Sequence, residues 1–474
     1  MSGATATMKG KTVIAAAVCL CMDFLADARA VIDAGPVCES CLGRVFADRS
    51  FGLSNADRGT GARTAVALAD DEPYESVAPA DCWVCDGECG RFDVWADRAV
   101  AAVRTVDFET YQVGTRTPPL IEENDHLLRE DAGLPEDAGE QFKSNFNREV
   151  GKRIGQQTDT EVDFGRPDIQ FTLDLANDRV DTQINSAFVY GRYRKLERDI
   201  PQTEWPCREC HGRGRHGGEP CDHCDGEGYL YPESVEQLTA PVVEDAMNGS
   251  DATFHGAGRE DVDAKMLGTG RPFVIEIDEP ARRRVAADEL QGEINEFADG
   301  KVEVEGLRLA SYEMVERVKE LDASKTYRAI VEFDGDVSAA ALSDAVADLD
   351  GATIKQETPQ RVDHRRASKT RTREVLSASA EHNDARNAAV DIHGEGGLYI
   401  KELISGDEGR TDPNLAGILG VNATVTALDV LTVEGTDEPF EREEFFVDSG
   451  DDANGGDNDA GDDNDAGGDN DVAE

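Results

Sequence analysis

The chain is 474 residues long, which is too long for one ordinary hydrophobic core and predicts two or three domains. A hydrophobic content of 39% excludes both a membrane protein and a largely disordered one. The 98 Asp and Glu residues against 48 Lys and Arg give a formal net charge of -50, and only 12 of the 48 cations are lysine. Such a surface is typical of a halophilic protein. It does not exclude a nucleic acid as partner, because concentrated salt screens repulsion between carboxylates and phosphates.

The first 22 residues form an uncertain N-terminal segment. Residues 12–22 are apolar and follow two lysines, which is similar to a signal peptide, but the run is short and leads into a helical pattern. We interpret Cys19 and Cys21 as core residues. No stretch reaches the roughly 20 apolar residues of a membrane span. The sequence therefore predicts a cytoplasmic protein without a membrane partner, in which paired cysteines bind metal more often than they form disulfides.

Residues 23–200 are predicted to form a helical cap followed by an α+β module. Apolar residues recur at helical spacing from 23 to 70, whereas residues 100–111, 169–175 and 183–194 alternate or run apolar as strands do. The region contains two CxxC pairs, and these predict a zinc site with Cys38, Cys41, Cys82 and Cys85 as ligands. Cys89 competes as the fourth ligand, and buried free thiols are the alternative.

Residues 205–229 predict a zinc-binding hairpin. Cys207 and Cys210 are followed after ten residues by Cys221 and Cys224, and this CxxC…CxxC spacing suits one tetrahedral zinc ion. Glycines beside the cysteines allow tight turns under the sulfur atoms. Each half also resembles the CxxCxGxG repeat of J-type chaperones, but only two copies occur and no J-domain sequence accompanies them.

Residues 230–446 predict a strand-rich domain, and residues 447–474 predict a disordered acidic tail of Asp, Asn and Gly. The clearest predicted strands are Phe273–Ile277, Val302–Leu309, Tyr327–Phe333 and Val421–Leu431, with helices at Ala287–Phe297 and Ser338–Leu349 between them.

The run GAGREDVDAKMLGTGRPFVIEI at 256–277 places Asp261 between two glycine turns, directly before a predicted strand. From chemistry alone Asp261 is one acid among 98. However, GRED resembles the GR-x-D signature of pseudouridine synthases, and its extended form resembles the Pus-ten family. This family comprises archaeal and eukaryotic tRNA pseudouridine synthases with a THUMP-containing accessory domain.

Other segments resemble the same family in the same order, and the resemblance covers about residues 24–446. They are CESCLGRVFA at 38–47, KSNFNREVGK at 143–152, FVYGRYRKLERDIPQTEWPC at 188–207, KTYRAIVEF at 325–333, RVDHRR at 361–366 and GLYIKELISGDEGRTDPNLAGILG at 397–420. The acidic composition, the tail and the first twenty residues depart from the family, which bears on the host and the termini but not on the catalytic run. The acidic composition indicates a haloarchaeal version of the family.

The resemblance implies an α+β fold with a mixed or antiparallel catalytic sheet and an N-terminal, zinc-bound, THUMP-containing domain. It implies that Asp261 is the nucleophile, that Tyr327 stacks on the flipped uridine and that Tyr399 is a second tyrosine in contact with substrate. Lys401 or Arg259 is a candidate to pair with the charge of Asp261. The implied substrate is the T-arm loop of tRNA at uridines 54 and 55. The implied cofactor is structural zinc alone, with no organic cofactor, and we expect a monomer.

Two other classes of function are less well supported. A THUMP-bearing methyltransferase or thiolase needs a glycine-rich nucleotide loop that opens a helix, but Gly268–Gly270 leads into a predicted strand. A non-catalytic zinc-bearing RNA-binding or chaperone-like protein explains the cysteines but gives no reason for GRED, Tyr327 and Tyr399 together.

Two clusters of basic residues suggest contact with a polyanion, or alternatively a solvated face paired with nearby acids. The clusters are Arg192, Arg194, Lys195 and Arg198, and Arg361, Arg365, Arg366, Lys369, Arg371 and Arg373.

Overall fold

The computed structural model describes residues 24–362, 369–435 and 440–447. The uncertain segment 1–22, with Cys19 and Cys21, and the acidic tail from 448 lie outside the described residues. The described chain forms two compact units. The first contains the residues up to Ser186 together with Asp278–Ala281, and the second contains Ala187–Ile277 and the residues from Arg282 onward. None of the described helices is long and apolar enough to cross a membrane.

Six helices and four strands form the first unit. The helices are α1 (24–33), α2 (Glu39–Arg44), α3 (Asn55–Asp70), α4 (Phe92–Ala102), α5 (Pro119–Asp131) and α6 (Phe142–Thr158). The strands are β1 (Thr110–Arg116), β2 (Glu161–Val162), β3 (Ile169–Asp174) and β4 (Arg179–Ile184). They form one sheet in the order β2-β1-β3-β4, in which β1 runs parallel to β2 and β3, and β4 is antiparallel to β3.

Local sequence explains where these elements begin. Ser54 caps α3 because its hydroxyl accepts from the Asp57 amide, while the Asp57 carboxylate accepts from the Ser54 amide in a capping box. The predicted strand at 100–111 is wrong for residues 100–109, since α4 extends to Ala102 and β1 begins only at Thr110. The apolar residues of α4 repeat at helical spacing, so Trp95, Ala96 and Ala99 are all buried on one side.

The predicted strand at 183–194 is in fact two strands that belong to different units. β4 ends at Ile184, and β5 (Ala187–Lys195) pairs with strands of the second unit. The two residues between them leave the strand pattern, because the Asn185 side chain donates to the Pro167 carbonyl and the Ser186 hydroxyl donates to Asp278. The boundary between the two compact units lies at 186/187 along the chain.

A ten-stranded sheet forms the frame of the second unit. Besides β5 it contains β8 (Asp251–Gly256), β9 (Lys265–Asp278), β10 (Val302–Ala310), β11 (Ala323–Phe333), β12 (Thr353–Glu357), β13 (Thr370–Asp384), β14 (Asn387–Gly394), β15 (Thr411–Asp412) and β16 (Ala423–Gly435). Their order is β10-β5-β9-β16-β11-β14-β13-β12-β15, with β8 paired to β9. The sheet is mixed, because β9 and β16 are parallel and the pairings on either side are antiparallel. The expected α+β class with a mixed sheet is confirmed.

Six helices cover the sheet of the second unit: α7 (Val235–Met247), α8 (Ala287–Phe297), α9 (Tyr312–Glu320), α10 (Ala339–Leu349), α11 (Ile400–Ser405) and α12 (Leu415–Leu419). The predicted bounds of α8 match, and the predicted start of α10 at Ser338 is its N-cap. Two apolar clusters lie along the sheet, one around β5 and β9 and the other around β11 and β14. The residues of the candidate site come from both of these halves of the sheet.

Between β5 and α7 the chain forms a small hairpin with two short antiparallel strands, β6 (Arg215–His216) and β7 (Glu219–Pro220). A Cβ atom on Gly214 would lie 2.2 Å from the Gly226 carbonyl oxygen, and one on Gly228 would lie 2.5 Å from that of Gly212. Glycine is therefore required at Gly214 and Gly228 for the two halves of the hairpin to meet.

Candidate active site and metal centres

Asp261 lies in the loop between β8 and β9, and its side chain is about one third exposed at 36%. Two cations pair with its carboxylate: Arg361 Nη1 lies 3.1 Å from Oδ2, and Lys401 Nζ lies 3.3 Å from the same oxygen. Lys401 also pairs with Asp263 at 2.9 Å. Lys401, one of the two candidates that the sequence offered to pair with Asp261, therefore lies beside its carboxylate.

Arg361 also pairs with Asp261, although the sequence placed it only in a basic cluster and in the RVDHRR segment. Its Nε donates to Glu402 Oε1 at 2.7 Å, and the Glu402 side chain is buried at 6% exposure. Burial opposes the charge on Arg361, but Glu402 and Asp261 outweigh it and raise the pKa of Arg361. The guanidinium is therefore held between a buried carboxylate and the carboxylate of Asp261.

Tyr327 lies on β11, at a register shift between β11 and β16 that changes the direction of the side chain. Burial raises the pKa of Tyr327 to about 12, while Arg271 lowers it and Asp261 raises it further. The hydroxyl therefore stays protonated at neutral pH. Because Asp261 affects the pKa of Tyr327, the two side chains lie within electrostatic range of each other.

Tyr399 is the N-cap residue of α11, two residues before Lys401. The buried Gln356 side chain fixes its backbone, since it donates to the Tyr399 carbonyl and accepts from the Tyr399 amide, both at 2.9 Å. The Arg371 guanidinium lies over the Tyr399 ring, 5.7 Å from its centroid. An aromatic and cationic surface therefore lies directly before the helix that carries Lys401.

Arg259 does not pair with Asp261, contrary to the alternative that the sequence left open. Its guanidinium lies over the ring of Trp205, 5.2 Å from the centroid, at the base of the cysteine hairpin. Trp205 in turn packs edge-on against Tyr231 at 5.4 Å. The side chain before Glu260 therefore points toward the hairpin, whereas Arg361 and Lys401 reach Asp261 from elsewhere in the chain.

The cysteines of the hairpin converge as predicted. Cys207, Cys210, Cys221 and Cys224 are buried, and their sulfur atoms all lie within 4.8 Å of one another. The sulfur atoms of Cys207 and Cys221 are 3.8 Å apart, and those of Cys210 and Cys224 are 3.7 Å apart. Four thiolates around zinc at about 2.3 Å form a tetrahedron with edges of about 3.8 Å, so this tetrad fits such an ion.

The first unit also contains a cysteine tetrad, but its fourth member differs from the prediction. Cys38, Cys41, Cys85 and Cys89 lie within 4.8 Å of one another, with separations of 3.9 Å for Cys38–Cys85 and 3.7 Å for Cys41–Cys89. Cys82 is buried beside this tetrad but is not a member of it.

The exchange of Cys82 for Cys89 has a local cause. Gly87 adopts a left-handed conformation with φ 85°, and a short 3-10 helix over Glu88–Gly90 then turns Cys89 back onto the sulfur atoms. The sequence pattern CxxC favoured Cys82 because it counts spacing alone. The nine described cysteines are all free and buried.

A buried arginine touches the first tetrad. Arg44 is fully buried, and its Nη1 donates to the sulfur of Cys41 at 3.2 Å. Its Nε and Nη2 donate to Asp125 on α5 at 3.0 and 2.6 Å. Four thiolates around a divalent ion carry a net negative charge, which this guanidinium partly offsets. The sequence placed Arg44 in the CESCLGRVFA segment but gave no role for its side chain.

The residues of the first basic cluster form ion pairs with acidic residues of the same unit. Ion pairs join Arg192 to Glu441, Arg194 to Glu303 and Glu305, Lys195 to Glu260, and Arg198 to Asp429. The structure supports the interpretation of a paired face there. In the second cluster, Arg361 and Arg371 take part in the site, Arg373 donates to the Gly396 carbonyl, and Arg365 and Arg366 lie outside the described residues.

Comparison with known proteins gives consistent matches over most of the chain. The family described as "Pus10, C-terminal" matches residues 188–434, and the one described as "Pus10 THUMP domain, archaeal" matches residues 95–174. A tRNA pseudouridine synthase Pus10 of Halorubrum lacusprofundi is 71% identical over 425 residues, which are 90% of this chain and 100% of that protein. The protein of the same name from Methanothrix thermoacetophila is 40% identical over 88% of this chain and 96% of its own length.

Among solved structures, a Cbf5-Nop10-Gar1 complex matches with a TM-score of 0.28 and 18% identity, over 43% of this chain and 47% of the matched one. This similarity is too low to bear on the fold.

Proposed function

The chain belongs to the Pus10 family, and from that premise we propose that it isomerises uridine to pseudouridine in tRNA with Asp261 as the nucleophile. The observation that carries the proposal is the partly exposed Asp261 carboxylate, which Arg361 and Lys401 pair with and which lies near Tyr327. A carboxylate in this setting is reachable by a substrate and held in place by two cations.

The reaction requires no exchange of electrons with a cofactor. The N1–C1′ bond of the uridine breaks, the base turns, and a C5–C1′ bond forms. The proton lost from C5 is balanced by the proton gained at N1. The Asp261 carboxylate provides the nucleophile, which attacks either C1′ of the sugar or C6 of the base. The substrate uridine must leave its stack to reach this carboxylate.

The surrounding residues have separate roles in this proposal. Tyr327, whose hydroxyl stays protonated, provides an aromatic face for the flipped base. Arg361 and Lys401 hold the carboxylate, and Glu402 holds Arg361. Two cation–π pairs suit contacts with neighbouring nucleotides of the RNA. They are Arg371 over Tyr399 and Arg259 over Trp205.

We further propose that both cysteine tetrads bind zinc and that the metal stabilises the fold without taking part in the reaction. All four ligands in each tetrad are thiolates, which leaves no open position for a substrate. The sulfur separations of 3.7 to 3.9 Å agree with one ion between four sulfur atoms. The ligands of the first site are Cys38, Cys41, Cys85 and Cys89.

The T-arm loop with uridines 54 and 55 as the modified positions, and a monomeric enzyme, remain predictions from the family. So does the division of the chain into an accessory domain, a zinc hairpin, a catalytic domain over residues 230–446 and an acidic tail. This division places β5 (Ala187–Lys195) in the accessory domain, although the strand pairs with β9 and β10 in the sheet of the second unit.

A direct test compares the wild-type protein with Asp261→Asn on a tRNA transcript in molar KCl. Pseudouridines are mapped by carbodiimide labelling and primer extension, and tRNA binding is measured in parallel. The substitution keeps the size of the side chain but removes the nucleophilic charge, so pseudouridine formation should fall below detection while the dissociation constant for tRNA changes less than about threefold.

Asp344→Asn on the exposed face of α10 is the matched control and should retain the wild-type rate. Pseudouridine formation by Asp261→Asn at the wild-type rate would rule out Asp261 as the nucleophile. Tight tRNA binding by a wild-type protein that forms no pseudouridine would favour the alternative, a non-catalytic zinc-bearing RNA-binding protein.

A further inference from the structure

A fully buried lysine lies beneath the loop that carries Asp261. Lys195, the last residue of β5, has its Nζ 2.7 Å from the carbonyl oxygen of Ile200, 3.1 Å from that of Val262 and 3.3 Å from that of Asp261. The same nitrogen lies 3.6 Å from a carboxylate oxygen of Glu260. One ammonium group therefore contacts three consecutive residues of the loop, including the proposed nucleophile.

The residue before Asp261 is held just as firmly. Glu260 is buried, and its carboxylate accepts from the Tyr193 hydroxyl at 2.9 Å and from Arg271 Nε at 2.9 Å. Burial acts to raise the pKa of Glu260, but the charges of Arg271 and Lys195 outweigh it and keep that pKa below its usual range. Glu260 is therefore ionised and serves as the anion that balances the buried lysine.

Buried side chains also bind the start of the loop. Arg271 Nη1 donates to the Ala257 carbonyl at 2.7 Å, and the Gln202 amide nitrogen donates to the Gly258 carbonyl at 2.9 Å. Together with Lys195, these donors fix backbone carbonyls on both sides of Glu260. The loop is consequently anchored from below by β5, by β9 and by the segment that follows β5.

Burying the ammonium group of Lys195 costs free energy, and side-chain packing alone does not explain why a lysine stands there. Removing an ammonium group from water is unfavourable, and an apolar side chain of the same length would fill the space without that cost. Burial accordingly lowers the pKa of Lys195. What the ammonium provides, and an apolar side chain cannot, is three N–H donors to the carbonyls of Ile200, Asp261 and Val262. The last two carbonyls also accept from backbone amides, so Lys195 adds a second donor to each of them.

We propose that Lys195 is a positioning residue for the isomerisation, because it fixes the peptide groups from which the Asp261 carboxylate projects. The inference rests on the proposed function, since it concerns the same carboxylate. Lys195 acts through the backbone and does not touch the substrate. A nucleophile displaced by about 1 Å loses about 100-fold in rate, so the expected effect is on the reaction and not on tRNA binding.

The test is Lys195→Met in the full-length protein, which keeps the length of the side chain and removes the three donors. Single-turnover rates are measured with enzyme in excess over tRNA, together with the dissociation constant for tRNA and the melting temperature. We expect the rate constant to fall about 100-fold while the dissociation constant stays within about twofold. Lys301→Met is the matched control, because its ammonium pairs with Glu233 at the surface, and it should keep the wild-type rate.

A second variant covers the case in which Lys195→Met does not fold. Lys195→Gln retains two N–H donors on a shorter side chain. Its single-turnover rate constant should fall about tenfold, to a value between those of Lys195→Met and the wild type. A rate within threefold of the wild type for the folded Met or Gln variant, or a loss confined to tRNA affinity, would overturn the inference. If instead the wild-type protein and Lys301→Met form no pseudouridine, it is the proposed function that fails.

Discussion

At the residue scale, the chemistry depends on a short chain of charges. Glu402 is buried and holds Arg361, Arg361 holds Asp261, and Lys401 is shared between Asp261 and Asp263. The sequence could indicate Asp261 and Lys401 because each stands in a motif that resembles the family. Arg361 also stands in such a segment, RVDHRR, but the sequence did not show that its side chain pairs with Asp261, which lies 100 residues away along the chain.

Arg361→Gln should lower the single-turnover rate by about 10- to 100-fold, since the Asp261 carboxylate loses a charged partner and becomes free to turn. The measurement is pseudouridine formation with enzyme in excess. Arg328→Gln is the control, because Arg328 pairs with Asp391 on the sheet and is exposed, so its rate should not change. Equal rates for Arg361→Gln and the wild type would show that Lys401 alone is sufficient.

At the scale of elements, turns rather than motif spacing decide which cysteines meet. The predicted hairpin tetrad is confirmed because its two CxxC pairs face each other across one short hairpin. In the first unit a longer loop separates the pairs, and the left-handed Gly87 brings Cys89 to the position that spacing had given to Cys82. Spacing predicts ligands well only where the intervening chain has little freedom.

Cys89→Ser should therefore reduce the bound zinc from about two equivalents to about one, while Cys82→Ser should leave it at about two. Metal content is measured by mass spectrometry after dialysis against a weak chelator. Cys207→Ser provides the reference for the loss of the other site. The opposite pattern, with zinc lost from Cys82→Ser and kept by Cys89→Ser, would favour the ligands predicted from the sequence, which include Cys82 in place of Cys89.

Part of the secondary structure, like part of the metal ligands, was predictable from the sequence. The apolar patterns gave α8 and the strand cores of β9, β10 and β11, because α8, β10 and β11 each have one buried face and the core of β9 is a continuous buried run. The same reasoning merged β4 with β5, since an alternating pattern continues through a point where the chain passes from one unit to the other. The sheet order could not be predicted, because it depends on pairings between strands distant in sequence.

At the scale of the whole molecule, the dominant property is its net charge of -50. Many of the described cations are already paired with acids, as Arg192, Arg194 and Arg198 show, and this leaves a large excess of unpaired carboxylates. This composition is halophilic. It also means that binding of a polyanion must rely on local contacts and on screening.

The melting temperature should therefore rise when KCl is increased from about 0.2 M to about 3 M, because salt screens the repulsion between carboxylates. Binding of tRNA should strengthen over the lower part of the same range, which is the reverse of the behaviour of basic RNA-binding proteins. Calorimetry and filter binding measure the two quantities. A constant or falling melting temperature would contradict a halophilic surface.

The position of β16 has a consequence for how the enzyme is made. β16 is the last strand along the described chain, yet it lies between β9 and β11 in the middle of the sheet. Asp261 precedes β9 and Tyr327 lies on β11, so the two belong to halves of the sheet that only β16 joins. While the ribosome is still synthesising the chain, these halves can each collapse, but the final strand must insert between them before the active site exists. A nascent or prematurely terminated chain therefore has both key residues and no catalytic centre.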